Sequence, residues 1–209
     1  MIAAIVGPFT EAVRATTQPC TFLLIVPTLA AVVAAGAHWQ ALVGAVLAAL
    51  VGGWVLADNQ ILLDDAWLRV SGLIVIGALV LLVSRTARDA MPGAGRRLER
   101  PWMQAGIVGG LTLVATMWWR PCVGEQLGII LNGAQDGLAG ELLPMAAYML
   151  GAVVPVAIVV AARYAIEPPR HVSNAIGRVF TAVGVVVAGS LVAGQHDEVV
   201  VTLTRWTLE

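Results

Sequence analysis

Six long stretches without a single charged residue dominate this chain, at positions 15–37, 39–57, 70–84, 101–119, 142–162 and 179–195. An α-helix rises about 1.5 Å per residue and a bilayer's hydrocarbon core is about 30 Å thick, so roughly 17–25 apolar residues make one crossing. The runs therefore predict an all-α polytopic membrane protein with six transmembrane helices. The third run is short and is expected to extend back over Trp67 and Leu68. The composition excludes an ordinary soluble enzyme. Of 209 residues 59% are hydrophobic and 12% charged, and the mean hydropathy is +0.86. All 12 basic residues are arginine, and they form no basic stripe of the kind that binds nucleic acid. The apolar runs also lack the alternation of a transmembrane β-barrel.

Breakers separate the runs: Asp58-Asn59, then Pro92-Gly93, then Asn132-Gly133 and Asp136-Gly137, then Pro168-Pro169. No soluble domain fits between them, so residues 1–209 read as one integral membrane unit. Arginines are retained on the cytoplasmic side of span ends. The third linker carries Arg85, Arg88, Arg96, Arg97 and Arg100, and the fifth carries Arg163, Arg170 and Arg178. The second and fourth are acidic, with Asp58, Asp64, Asp65, Asp136 and Glu141. Six spans then put both termini outside, with 196–209 as an external tail and 85–100 as a cytoplasmic linker. The opening residues lack the basic start and cleavage site of a secretory signal, so the N-terminus is expected to be retained.

Two segments are too long for a simple span. From Pro101 to Gln135 only Arg120 and Glu125 interrupt the apolar character, and one helix of that length would be about 50 Å long. Proline cannot donate an N–H and pushes the residue before it out of helical conformation, so a break is expected at Arg120-Pro121. The opening stretch to Gly36 has the same problem, with Pro19 and Pro27 inside it. Both anomalies contain a Pro-Cys pair, and these hold the only two cysteines, Cys20 and Cys122.

Gln18-Pro19-Cys20 and Arg120-Pro121-Cys122 each lead into an apolar stretch, heading the first and fourth spans. Three spans per half is an odd number, so the halves 1–84 and 101–195 would insert upside down relative to each other. Broken helices at matching positions of inverted repeats point to a site near the bilayer centre. A cysteine just after an N-terminal proline sits at the positive end of the helix dipole, where a thiolate is favoured. Arg120 adds a cation near Cys122. Convergence of the two helix starts would allow the Cα separation of roughly 4.4–6.8 Å that a disulfide needs. Against this, a cysteine is often no more than a small buried hydrophobe; the pair is the signal, and neither member alone is.

These motifs, Gln-Pro-Cys with the downstream Pro27 and Arg-Pro-Cys-Val-Gly with Gly124, resemble the CcdA-type cytochrome c biogenesis membrane proteins and the related membrane domain of the DsbD thiol reductases. The resemblance spans the chain in length, six-span layout and outward termini. The family commonly has a proline three residues after each cysteine, where this chain has Leu23 and Glu125, so it resembles a divergent member. The resemblance implies that Cys20 and Cys122 cycle between dithiol and disulfide in a bacterial or archaeal cytoplasmic membrane. It implies electrons taken from cytoplasmic thioredoxin and passed to extracytoplasmic thioredoxin-like proteins, in support of cytochrome c maturation. No haem, flavin or metal cofactor enters that scheme.

Glu125 follows Cys122 by about one helical turn; it reads equally as a base for the Cys122 proton or as a partner of Arg120. Trp118 and Trp119 stand either in an interfacial aromatic belt or as a shield over the cysteine. His38, His171 and His196 lack metal-ligand spacing and read as solvated loop residues. Gly52-Gly53 and Gly109-Gly110 read as sites of close helix packing. A small-solute or soft-metal-ion permease on the same scaffold is the competing function; a purely structural subunit is a third.

Overall fold

The computed structural model describes residues 2–59, 65–83, 100–118, 138–166 and 170–195, with tail positions 198, 201, 202 and 205. Eight α-helices and no strand make up these residues: α1 (Ile2–Thr16), α2 (Pro19–Ala34), α3 (Trp39–Asn59), α4 (Asp65–Val83), α5 (Pro101–Met117), α6 (Leu138–Ala152), α7 (Val154–Ile166) and α8 (Arg170–Val192). Trp67 and Leu68 do belong to α4.

Local chemistry sets several of the ends. Pro19 and Pro101 start α2 and α5, after extended residues Gln18 (φ −77°, ψ 140°) and Arg100 (φ −70°, ψ 131°). At a first helical position the missing N–H costs nothing and the fixed φ is already helical. The C-termini of α2 and α8 close through glycine in the left-handed region. Gly36 (φ +79°) donates to the Val33 carbonyl and Ala37 to Val32, while Gly194 (φ +71°) donates to Leu191 and Gln195 to Ser190. This double bond pattern is the Schellman cap, which satisfies carbonyls the helix leaves open.

The first overlong segment is indeed broken at Gln18-Pro19, between α1 and α2. Pro27, by contrast, lies inside α2 without ending it. The run 142–162, expected as one continuous span, is instead two helices bent by 44° at Val153. Pro155, in the first turn of α7, has no N–H to return to Gly151, and the ladder yields there.

Close approaches through glycine fix how the helices run. A Cβ on Gly44 of α3 would collide with the Ala105 carbonyl oxygen of α5, and one on Gly52 would meet Thr116. At the start of the same pair, the Trp39 and Trp102 rings meet edge to face at 5.5 Å. Rising numbers on α3 meet rising numbers on α5, so the two are parallel. Gly72 of α4 faces Ala188, Leu191 and Val192 of α8, whereas Leu79 faces Gly184, so α4 and α8 are antiparallel. Gly184 also touches Pro27 and Ala30 of α2 and Gly177 touches Val33, so α2 and α8 are antiparallel as well. Of the four glycines expected at packing contacts, Gly52, Gly53 and Gly109 make them; Gly110 has open space where a Cβ would go.

The most extensive packing joins α5 to α3 and α1 to α6. Each helix that precedes a Pro-Cys position thus packs chiefly on a helix of the other half. The core between them is built from small and aliphatic side chains, among them Ala30, Ala31, Val32, Ala45, Leu79, Val108 and Met149. The outer surface is apolar too: Leu47, Val51 and Trp54 line one face of α3, and Val186 of α8 is 70% exposed. By length and hydropathy, Ala175–Val192 passes as a membrane span, as does the bent pair α6–α7 taken as one; Ile25–Ala34, Trp39–Val55 and Arg69–Val83 are apolar but shorter.

Candidate functional site

Cys20 occupies the second position of α2, directly after Pro19, and only the backbone of these two residues is described. Gln18, at the N-cap of this helix, makes no side-chain capping hydrogen bond. The first N–H groups therefore keep their positive dipole end directed past Cys20 rather than into a capping oxygen.

Helix register gives Cys20 its level in the bundle. Along the antiparallel α2–α8 pair, Val33 meets Gly177 and Pro27 meets Gly184. Seven residues further back, equal rise brings Cys20 level with about residue 191 of α8. Leu191 in turn meets Gly72 of α4, and the neighbouring Ser71 accepts a 2.6 Å hydrogen bond from the Trp118 indole Nε1. Trp118 caps the C-terminus of α5 and is 2% exposed. The first Pro-Cys and the end of α5 therefore sit at the same height, on helices α2, α4 and α5 that pack against one another.

Trp118 is thus an anchor buried inside the bundle rather than on its outer surface. The tryptophan pair drew notice in the sequence, but its hydrogen bond had no signal there, because Ser71 lies 47 residues away. Arg120, Pro121, Cys122, Gly124 and Glu125 lie outside the described residues, as does Trp119. Pro27 is fully buried within α2. His38 is in the α2–α3 turn, whereas His171, expected in a loop, belongs to the first turn of α8. Among the described residues no three His, Cys, Asp or Glu side chains gather as a metal site would require.

A cavity lies beside this region, where α2, α3, α5, α6 and α7 meet. Its volume is about 30 Å³, and its wall includes Thr28 of α2, Thr112 and Thr116 of α5, and Met149, Val153 and Val156 around the bend. Nothing in the residue pattern singles out these threonines, since isolated threonines in apolar helices ordinarily bond back to their own backbone.

No protein-family model, curated protein or solved structure matches this chain.

Proposed function

We propose that this chain is a six-span membrane protein, built as two inverted three-helix halves, that carries reducing equivalents across the bilayer through a Cys20–Cys122 disulfide. One observation carries the reading: Cys20 is level with the end of α5, from which Arg120, Pro121 and Cys122 follow within four residues of Trp118. The short sequence distance from Trp118 to Cys122 supports the pairing of two cysteines that lie 102 positions apart in the chain.

The packing supports the membrane and repeat parts of the proposal. Exposed Leu47, Val51, Trp54, Leu73, Ile74 and Val186 would be costly against water and are at home against lipid chains. Spans two and four, α3 and α5, are parallel; spans one and six, like three and six, are antiparallel, as alternate crossing demands. The exchange of α1 onto α6 and α5 onto α3 is the reciprocal pattern that two related halves produce. The bend at Val153 has no counterpart in α3, so the halves have diverged.

In the proposed cycle a thiolate of cytoplasmic thioredoxin attacks one sulfur of the Cys20–Cys122 disulfide. The S–S bond breaks, a mixed disulfide forms, and the released cysteine takes up a proton. Thioredoxin's second cysteine then displaces the mixed disulfide, leaving thioredoxin oxidised and both chain cysteines reduced. The same two exchanges in reverse pass two electrons to an oxidised thioredoxin-like protein outside the membrane. The exposed dipole end at Cys20 favours the thiolate that each step requires. The organism class, the partners and the outward termini rest on the family resemblance and on the arginine distribution.

Maleimide mass-shift labelling of the purified protein, before and after thioredoxin with its reductase, tests this. Wild type should gain two labels only after reduction, and Cys20→Ser and Cys122→Ser should each show one free thiol or trap a mixed disulfide. Two thiols that stay free under oxidant would overturn the proposal and turn attention to solute permeation.

A further inference from the structure

The cavity behind the α6–α7 bend has an unusual donor balance. Each threonine hydroxyl has one proton and two lone pairs. Thr112 donates its proton to the Val108 carbonyl at 2.8 Å, and Thr116 donates to Leu113 at 2.7 Å. Both hydroxyls keep acceptor capacity and have no proton left to give.

The backbone beside them leans the same way. Val153, in the cavity wall, shares its N–H between the Met149 and Leu150 carbonyls at 3.3 Å each. Both bonds are long for an amide, so both carbonyls keep acceptor capacity. Pro155 offers no N–H to Gly151, one turn earlier. Kinks of this kind occur where a proline interrupts the ladder and where water enters it.

We propose that this cavity is a binding site for buried water, held as a hydrogen-bond donor by the Thr112 and Thr116 hydroxyls and the loosened Met149 carbonyl. The volume fits: about 30 Å³ is present, and a water needs roughly 10–15 Å³ on the same measure. The wall excludes a hard cation, which takes roughly six oxygen ligands and usually a carboxylate. Ile25, Ala49, Ala115, Ala152, Val153 and Val156 complete a wall without any charged group. The water would replace the contacts that the bend removes and leave α7 a compliant joint in the bundle interior. The inference needs no redox activity and stands or falls separately from the cysteine proposal.

Water-to-methyl cross-relaxation in the full-length protein, with labelled Met and Thr methyl groups, tests it. A cross-peak from long-lived water to the Met149 methyl is expected in wild type and in Thr112→Ser, which keeps the hydroxyl. It should vanish in Thr112→Val with Thr116→Val, and in Ala152→Leu, which fills the space while keeping both hydroxyls. Because these variants alter different helices, a folding failure of one leaves the other as the test. Absence of the peak in wild type, or its persistence in the filled variant, would overturn the site.

Discussion

The Trp118 indole donates a 2.6 Å hydrogen bond to the Ser71 hydroxyl, tying the last turn of α5 to the second turn of α4 inside the bundle. This bond holds the chain two residues before Arg120. Replacing Trp118 with Phe keeps most of the ring and removes the donor, so a stability loss of about 1 kcal/mol is expected from the hydrogen bond. Unfolding in mixed micelles measures it. Under the proposed cycle the same variant should also slow reduction of Cys122, because the preceding turn loses its anchor. Unchanged stability would show that the bond is offset elsewhere.

The contact between α3 and α5 depends on an absent side chain. A Cβ on Gly44 would collide with the Ala105 oxygen, a backbone atom that no rotamer change can clear. Gly44→Ala should therefore force the helices apart and destabilise by roughly 1–3 kcal/mol, as overpacking does. Gly106→Ala, one residue past Ala105 and with nothing within 4 Å of the added methyl, is the control. It should be neutral or gain about 0.5–1 kcal/mol from helix propensity. Equal effects of the two substitutions would contradict the packing described.

The antiparallel course of α4 and α8 can be checked by cross-linking. A Cβ on Gly72 would be 3.6 Å from that of Leu191, inside the range of roughly 3.5–4.5 Å found in disulfides. With Cys20 and Cys122 replaced by Ser, the pair Gly72→Cys and Leu191→Cys should join under mild oxidant and shift in gel mobility. Moving the first cysteine to Leu79, which faces Gly184, should abolish the link. A bond from Leu79→Cys to Leu191→Cys would mean that the register is wrong.

Helix positions were legible where composition alone decided them. Uncharged runs and the N1 prolines Pro19 and Pro101 marked α2, α3, α4 and α5 closely, whereas α8 begins at Arg170, nine residues before its uncharged run, because Arg170 and Arg178 are tolerated in its first turns. The bend at Val153 was missed although Pro155 was visible. A proline inside an apolar run either passes unnoticed, as Pro27 does in α2, or breaks the helix, and neighbouring packing decides which. The glycine contacts could be suspected but not assigned, since Gly109 and Gly110 are adjacent and only one faces α3. The common height of Cys20 and Trp118 was beyond reach, because it depends on the register of α8 against two other helices.

The uncapped start of α2 yields a prediction with a definite sign. Gln18 precedes Pro19 and Cys20 without contributing a side-chain hydrogen bond to the helix N-terminus. Gln18→Ser would supply a neutral cap and Gln18→Asp a charged one, each stabilising the helix by about 0.5–2 kcal/mol. The two should differ at the thiol. A carboxylate beside the first turn opposes the thiolate, raises the thiol's pKa and moves the pH profile of maleimide reaction upward. At neutral pH, Gln18→Asp should then alkylate Cys20 several-fold more slowly than Gln18→Ser, measured in the reduced Cys122→Ser background so that one thiol is counted. Screening by salt should narrow the gap, because a surface carboxylate acts through a field that ions weaken. If both variants react at the wild-type rate in low salt, the helix start does not set the reactivity of Cys20, and the thiolate would have to be favoured by another group.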